Sequence, residues 1–456
     1  MSGKAGPERA PPQGPSDREG TPRSPLELLR SRDYLKALVL SGSLGLPVAL
    51  VSYGFLQLSL YSRHWLFDDL PHAFGLNGAP AWWPLPVVTI GGLAVGLVIR
   101  YLPGAGGESP VDGFHAGRPP RARNLPGIVL AALGTLAFGA VLGPEAPLIA
   151  FGGGLAARAV RALDRDAPDR AVTLIGAAGS FAAISTLLGS PLLGAFLLME
   201  VAGAGTGRTS VLLVPGLLAS GLGALLFSGL DSVTGLPKPS LTVPDLPPVP
   251  ELTVAQFGWA FVIGIGAALL GAALHRLGRT LRDGVRRRVV IATAGAGLVV
   301  GLLAFLYAVL TPKGTDDVLF SGQEALGPLL VESAGYSAGT LALLLVCKAV
   351  AYGVSLSAFR GGPVFPAMFL GATGGLLLSH LPGLDPVPAA AMGIGAMCVA
   401  MLGLPLVSVL LATLLLLSSG LVVMPLVIVS VVVAYVLRAR LTPETTGDDA
   451  TSGTER

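Results

Sequence analysis

The sequence predicts an all-α polytopic membrane protein made of two inverted helical repeats, with broken helices meeting at the bilayer midplane. Three observations carry this. The first is composition: 52% of the 456 residues are hydrophobic and 12% are charged, the balance of a chain that spends most of its length in lipid. The second is the length of the charge-free runs, Ala171 to Met199 and Pro386 to Val436. The later run far exceeds the ~20 residues that one spanning helix needs, so it must fold as several helices, broken near Gly403-Leu404-Pro405 and between Gly420 and Pro425. The third is an internal echo. Gly143-Pro144-Glu145-Ala146-Pro147 is matched by Gly362-Pro363-Val364-Phe365-Pro366, and Leu188-Gly189-Ser190-Pro191-Leu192 by Leu402-Gly403-Leu404-Pro405-Leu406. A glycine cluster follows each first landmark: Gly152, Gly153 and Gly154 in one series, Gly371, Gly374 and Gly375 in the other. Transporters built from such repeats hold their substrate where discontinuous helices of both halves meet.

The elements follow in order. A Pro-, Ser- and charge-rich tail over residues 1–33 has no apolar core and reads as disordered. Its basic residues, from Lys4 and Arg9 to Arg30, Arg32 and Lys36, place the N-terminus in the cytoplasm by the positive-inside rule. Leu35 to Leu60 is the first apolar run. A wet segment follows, with Arg63, His64, Asp68, Asp69 and His72; Trp82 and Trp83 then flank the run Pro84 to Ile99 as interfacial aromatics. Arg100 to Asn124 is polar and basic. The next spans are Ile128 to Gly143, Ala146 to Val160, the run 171–199 with its break at Gly189-Ser190-Pro191, and Leu212 to Leu230. A Pro-rich loop, Pro237 to Pro250, closes the first half, about 34–235. The second half, about 252–438, opens with Phe257 to Leu274 and a basic loop from Arg276 to Arg288. Val289 to Leu310 follows, then a polar segment with Asp316, Asp317, Glu324 and Glu332. Leu341 to Phe359, Val364 to Leu378, Ala389 to Leu402, Pro405 to Leu417 and Leu421 to Val436 complete the membrane part, 34–438. Residues 439–456 form a second polar tail.

A net charge of +3 gives no nucleic-acid signal. Cys347 and Cys398 lie alone in apolar runs and suggest packing rather than a metal site or a disulfide.

Glu145 is the candidate site. It is the only charged residue between Arg123 and Arg158. A carboxylate in a membrane span costs roughly 2.5–3.5 kcal/mol, against ~0.3–1 kcal/mol that an exposed helix start returns, so an isolated one points to function. Gly143, Pro144 and Pro147 put it in the first turn of a helix, where unpaired N–H groups attract anions. The arrangement suggests that side chain and dissolved anion compete for one place.

These residues resemble the CLC family of chloride channels and proton/chloride exchangers, over about Leu35 to Val436. Gly143-Pro144-Glu145-Ala146-Pro147 is similar to the family's Gly-Arg/Lys-Glu-Gly-Pro, whose glutamate is the external gate; the resemblance assigns that role to Glu145. Gly361-Gly362-Pro363-Val364-Phe365-Pro366 is similar to the family's Gly-Gly-x-Phe-x-Pro, whose backbone amides face the anion. Aligned on the prolines, the family's Phe falls on Val364, with Phe365 one place later. Ser190 to Glu200 resembles the apolar run that ends in Glu. The resemblance implies anion binding at Gly107, Ser109, Gly143, Ala146, Val364, Phe365 and Pro366. It implies chloride as the substrate, other halides including fluoride being open. It also implies no cofactor, and a homodimer in a bacterial plasma membrane joined through Ser190 to Leu230 and Pro405 to Val436. There are departures. The family's Gly-Ser-Gly-Ile-Pro loop maps onto Gly106-Gly107-Glu108-Ser109-Pro110, so Gly107 stands where a serine touches the anion, and Ser109 is the residue at hand to compensate. The family's anion-contacting tyrosine has Tyr435, on the preceding helix, as its substitute. Where exchangers carry an internal glutamate this chain has Val201, which favours a channel-like conductor gated by Glu145, with a proton-coupled antiporter as the alternative.

Two further charges have competing readings. Glu200, alone between Arg170 and Arg208, is either a proton relay or a carboxylate bonded to backbone at a helix end, and the second reading is the stronger. Lys348, alone between Glu332 and Arg360, either sets the potential of the pore or pairs locally. Arg360 reads as a flank anchor. An enzyme built on Ser180, in Gly176-Ala177-Ala178-Gly179-Ser180, is disfavoured because a serine nucleophile needs a base within reach, and His64, His72, His115, His275 and His380 all lie in loops or at segment ends.

Overall fold

The structure is a computed structural model that describes residues 30–113, 119–201, 209–234, 241–243, 246–247, 249, 252–416 and 418–441. The two tails lie almost wholly outside the described residues, as do His115 and most of the Pro237 to Pro250 loop. Among the described residues the fold is all-α, and one isolated antiparallel bridge, between Gly143 and Gly362, is its only extended pairing.

Apart from a four-residue turn, Leu70–Ala73, the α-helices of the first half are α1 (Arg32–His64), α2 (Pro84–Tyr101), α3 (Leu125–Ala137), α4 (Glu145–Leu163), α5 (Asp169–Leu188), α6 (Pro191–Val201) and α7 (Thr209–Thr234). Those of the second are α8 (Val254–Arg287), α9 (Val289–Leu310), the short α10 (Leu326–Val331), α11 (Ala338–Ala358), α12 (Val364–Leu378), α13 (Pro386–Leu402), α14 (Pro405–Leu415) and α15 (Ser418–Leu441). Eight helices of the described part are long and apolar enough to cross a bilayer. With α10 set aside, the series correspond one to one, and their packing repeats. α1 packs on α7, α4 on α5, α5 on α6 and α7; in the same way α8 packs on α15, α12 on α13, and α13 on α14 and α15. α2 packs on α9 across the halves.

The glycine landmarks explain why the repeat is visible in sequence. α5 ends at Gly189 (φ 63°) and α13 at Gly403 (φ 75°), the left-handed cap that glycine adopts without strain. Pro191 and Pro405 then open α6 and α14, where a missing N–H costs nothing. At the α4–α5 crossing, a Cβ on Gly152 would meet the Gly179 carbonyl oxygen at 2.7 Å; at the α12–α13 crossing, Gly371 and Gly393 face each other's carbonyls in the same way. Both crossings need hydrogen at these positions so that the backbones can approach.

α4 and α12 start side by side. The middle of α4 packs on the 119–125 loop, with Gly154 against Pro120 and Leu125. The loop after α12 meets the start of α8, where Gln256 Nε2 donates to Asp385 Oδ2 at 2.9 Å.

The structure corrects one span. The apolar run 128–143 is not a single helix: α3 stops at Ala137, and residues 138–144 continue as irregular buried backbone. Gly139 turns at φ 96°. The loose polar groups find protein partners, as backbone at membrane depth must: the Gly139 carbonyl accepts from Phe320 N at 3.2 Å, and Val141 N donates to Ser355 Oγ at 3.2 Å. The polar segment after α9 also folds inward, with Val318 and Leu319 fully buried.

Candidate functional site at the paired helix starts

The two strand-like residues hold the site together. Gly143 N donates to the Gly362 carbonyl at 2.8 Å, and Gly362 N returns a bond to the Gly143 carbonyl at 2.6 Å. This reciprocal pair fixes the starts of α4 and α12 against one another. Each helix then opens identically. Leu148 N closes onto the Pro144 carbonyl at 3.0 Å and Ala367 N onto the Pro363 carbonyl at 3.2 Å. Pro147 and Pro366 have no N–H. The N–H groups of Glu145 and Ala146, and of Val364 and Phe365, are therefore the ones that helix geometry leaves without an intrahelical acceptor.

Glu145 sits among them, fully buried at 0% exposure. Its Oε1 accepts from Phe365 N at 2.9 Å, across the two halves. Its Oε2 is buried without a hydrogen-bond partner. The carboxylate is packed so closely that a Cβ on Gly143 or Gly362 would collide with it. Tyr352 of α11 is fully buried nearby and donates its hydroxyl to the Pro363 carbonyl at 3.2 Å. Both Tyr352 and Cys398 of α13 lie within electrostatic reach of the carboxylate.

The residues that flank Glu145 in the chain line two cavities. The larger one, called outer after the orientation proposed below, is about 250 Å³ and is lined by Pro144 of the turn before Glu145, and by Gln57, Ser59, Arg63, Asp316, Phe320 and Glu324 among others. The inner one, about 60 Å³, is lined by Ala146 and Pro147, the residues after Glu145, with Gly107, Glu108, Ser109 and Arg360. Glu145 itself is buried on a backbone set to receive a negative charge.

The predicted residues divide sharply. Val364 and Phe365 form the buried first turn of α12, and Phe365 supplies the bonded amide. Ala146, Gly107 and Ser109 come together at the inner cavity. Gly143 does not offer an amide to an anion, because its N–H is spent on Gly362; its part is to join the helix starts and leave room for the carboxylate. Pro366 has no N–H to give and serves as a first-turn proline. Tyr435 is 41% exposed on α15 and is not at the site. Glu200 accepts from Leu406 N at 2.9 Å and Val407 N at 2.8 Å, capping α14 from the end of α6. Lys348 is fully buried; its Nζ donates to the carbonyls of Asp317 (2.8 Å), Val318 (3.3 Å) and Leu319 (3.1 Å) and lies 4.1 Å from the Phe369 ring centroid. Its charge therefore braces the loop that walls the outer cavity. Ser180 donates to the Ile149 carbonyl at 2.9 Å, a contact within the α4–α5 packing.

Sequence reasoning missed Tyr352, the cavity-facing place of Arg360, and the outer wall. In that wall Phe320 takes φ 58°, a conformation few bulky residues adopt. Arg63 stacks 3.8 Å over its ring and pairs with Glu324 and, at 3.9 Å, with Asp316. A lone basic residue at the end of a span was the only available signal.

Fold and site together define a multi-pass membrane protein of the anion-transport class, with paired helix starts at its centre. Residues 90–439 match the family described as Voltage gated chloride channel, and the chain belongs to that family. It is 30% identical over 400 residues to a Salmonella paratyphi A protein named "Putative ion-transport protein YfeO", covering 85% of this chain and 87% of that one. Its fold is similar to that of a slow cyanobacterial Cl−/H+ antiporter (TM-score 0.71, 19% identity, 90% of this chain and 95% of that one). It is also similar to a CLC-type fluoride/proton antiporter (TM-score 0.67, 20% identity, 90% and 97%).

Proposed function

We propose that this chain exchanges a small monovalent anion, chloride first among them, for protons, with Glu145 as the group that meets both. The observation that carries this reading is the seat of its carboxylate: buried, bonded to Phe365 N across the two halves, and flanked in the chain by Pro144 and Ala146, each of which lines a cavity. An anion drawn to the same amides must displace it. Protonation removes its charge, weakens its hold on Phe365 N, and frees the place. Movement of anion through the site is then tied to movement of a proton onto the side chain. The two structural neighbours named for an activity are both proton antiporters, which supports exchange over the channel-like conduction that Val201 suggests.

In this reading the basic ends, with Arg100, Arg276 to Arg288, Arg438 and Arg440, face the cytoplasm together with the N-terminus, and the Arg63 cavity faces outward. Exposed leucines on α6, α14 and α15 (Leu192, Leu406, Leu421) belong to the surface it assigns to a second copy in a homodimer. The test is reconstitution into liposomes: an imposed chloride gradient drives uphill proton movement. Chloride flux without proton movement establishes instead the channel reading, which Val201, apolar where exchangers of this family carry a carboxylate, specifically favours.

A further inference from the structure

Two exposed apolar stripes of the fold end in arginine. On α2, Ile90, Leu93 and Leu97 are exposed, and the helical period carries the same face on to Arg100 and Tyr101, both exposed as well. On α8, Val262 and Leu269 are exposed two turns apart, and Arg276, two turns further, is exposed on the same face. α8 has 34 residues, about 51 Å at ~1.5 Å per residue, so its last turns reach past a hydrocarbon layer about 30 Å thick. The two arginine ends are neighbours. α2 and α9 cross antiparallel: a Cβ on Gly96 would lie 2.9 Å from Val290 Cα, and one on Gly301 2.7 Å from the Pro84 carbonyl oxygen. Arg100 is one turn beyond Gly96, and Arg286, Arg287 and Arg288, all exposed, come just before Val290. No carboxylate among the described residues pairs with any of these five arginines. The other basic end of the chain is different. From Arg158 to Arg170 four arginines are offset by Asp164, Asp166 and Asp169, and Arg161 pairs with Asp169 at 2.7 Å. From Arg276 to Arg288 six arginines meet one carboxylate, Asp283. Setting topology takes a basic excess in a loop; it does not take so many cations left without partners on a lipid-facing edge.

We infer that Arg100, Arg276, Arg286, Arg287 and Arg288 form a surface that binds the phosphodiester headgroup of an anionic phospholipid. The chemistry is complementary on both sides of the interface. Guanidinium forks match phosphate oxygens and keep their charge at any pH the protein meets, and clusters of basic residues just beyond a spanning helix are drawn to anionic lipid surfaces. Tyr101 brings an amphipathic ring to the same level, where aromatics sit among headgroups. Below the arginines the exposed faces of α2 and α8 are apolar, so the acyl chains of the same lipid lie along them. These faces are separate from the leucines of α6, α14 and α15 that belong to the proposed contact with a second copy. The inference needs only the membrane placement of the chain and is independent of which ion it moves.

The test must separate a site from general surface charge, and a lipid from free phosphate. Native mass spectrometry of the full chain in detergent, titrated with dioleoylphosphatidylglycerol or dioleoylphosphatidylcholine, reads the affinity for each. Wild type should retain the glycerol lipid in preference to the choline lipid. The double variant Arg100→Gln/Arg287→Gln should bind the glycerol lipid more weakly by about five-fold for each arginine removed. Arg158→Gln, one charge fewer at the other basic end, should bind it as wild type does. Inorganic phosphate at equal concentration should not displace it. Unchanged affinity in the double variant, the same loss in Arg158→Gln, equal retention of both lipids, or displacement by phosphate overturns the inference. Should the double variant not fold, wild type decides by hydrogen exchange in nanodiscs: the glycerol lipid, compared with the choline lipid, slows exchange in residues 97–102 and 284–291 and leaves 158–170 as it was. Equal exchange in the two lipids, or protection spread evenly over both basic ends, overturns it as well.

Discussion

Replacing Glu145 by glutamine keeps the shape of the gate and removes its charge. Two consequences can be sized from the structure. The 2.9 Å bond from Phe365 N changes from charge-assisted to neutral, a loss of about 1 kcal/mol from the seated state. An anion at the Phe365 amide also no longer faces a carboxylate. At a separation of about 4 Å and an effective dielectric of about 20, that repulsion is on the order of 4 kcal/mol. The first figure alone gives about a five-fold gain in anion occupancy, and the two together bound the gain near a few thousand-fold. We expect Glu145→Gln to bind chloride at least about five-fold more tightly than wild type at pH 7.5, to pass chloride at a rate that persists or rises, to lose its pH dependence, and to move no protons. Calorimetry and liposome efflux measured between pH 5 and 8 test this. A folded variant whose binding and pH profile superimpose on those of wild type would refute the reasoning, because it would mean that the carboxylate and the anion do not share a place.

Other perturbations reach the same site from different sides. Gly362→Ala puts a methyl where the Glu145 carboxylate lies and close to the Ala146 backbone N, so it should lower thermal stability; because an anion would need that space too, flux through the folded variant should fall sharply, and retained flux would count against the shared position. Lys348→Met strips the donors from three carbonyls of the 317–319 loop and should cost on the order of 3 kcal/mol or more, seen as a lowered unfolding midpoint in detergent; an unchanged midpoint with altered conductance would restore the pore-potential role. Glu200→Gln keeps one acceptor for Leu406 N and Val407 N, so it should cost about 1 kcal/mol and leave the proton-to-anion ratio intact; a changed ratio would make Glu200 a proton relay. Asp317, outside the spans, accepts from Tyr307 and Tyr336 at 3.1 and 3.2 Å, yet burial outweighs these donors, Lys348 and Lys313 and holds its carboxyl above the ordinary range. A raised folded-state value means that folding binds the proton more tightly, so this group stabilises as pH falls from its folded toward its unfolded value and ceases to do so above. Asp317→Asn should flatten that part of the stability–pH curve, and an unaltered curve would show that Asp317 does not titrate in this way.

The repeat, the helix breaks and the isolated glutamate were legible in the chain because each is a local pattern. Gly189-Ser190-Pro191 and Gly403-Leu404-Pro405 announce a left-handed cap and a new helix wherever they occur. A carboxylate in an apolar run announces itself by cost. What local pattern hides is the destination of polar groups. The run 128–143 looked like one span, since nothing in its composition tells that Gly139 and Val141 would find partners on Phe320 and Ser355. Gly143 was expected as an anion ligand from the family resemblance alone; Gly362, 219 positions later, takes its N–H. Lys348 and Arg360 were each the sole charge in view, and only the fold shows that one braces an outer loop while the other lines the inner cavity.

The division of labour at the centre supports the proposed gating by showing which parts of the site are firmly held and which are not. The bond pair between Gly143 and Gly362 is pure backbone, and the Pro144 and Pro363 carbonyls are tied into the first turns of their helices. Moving either helix start would break these bonds together, in a setting where water does not replace them. The Glu145 side chain is held by much less: one hydrogen bond to Oε1, with Oε2 unpartnered. Rotation of the side chain therefore costs about one charge-assisted bond, ~1.5–3 kcal/mol, whereas shifting the helix starts costs several bonds at once. On the proposed reading, a rigid amide cradle with a more loosely held acid over it lets proton and anion, rather than backbone strain, decide whether the place is open.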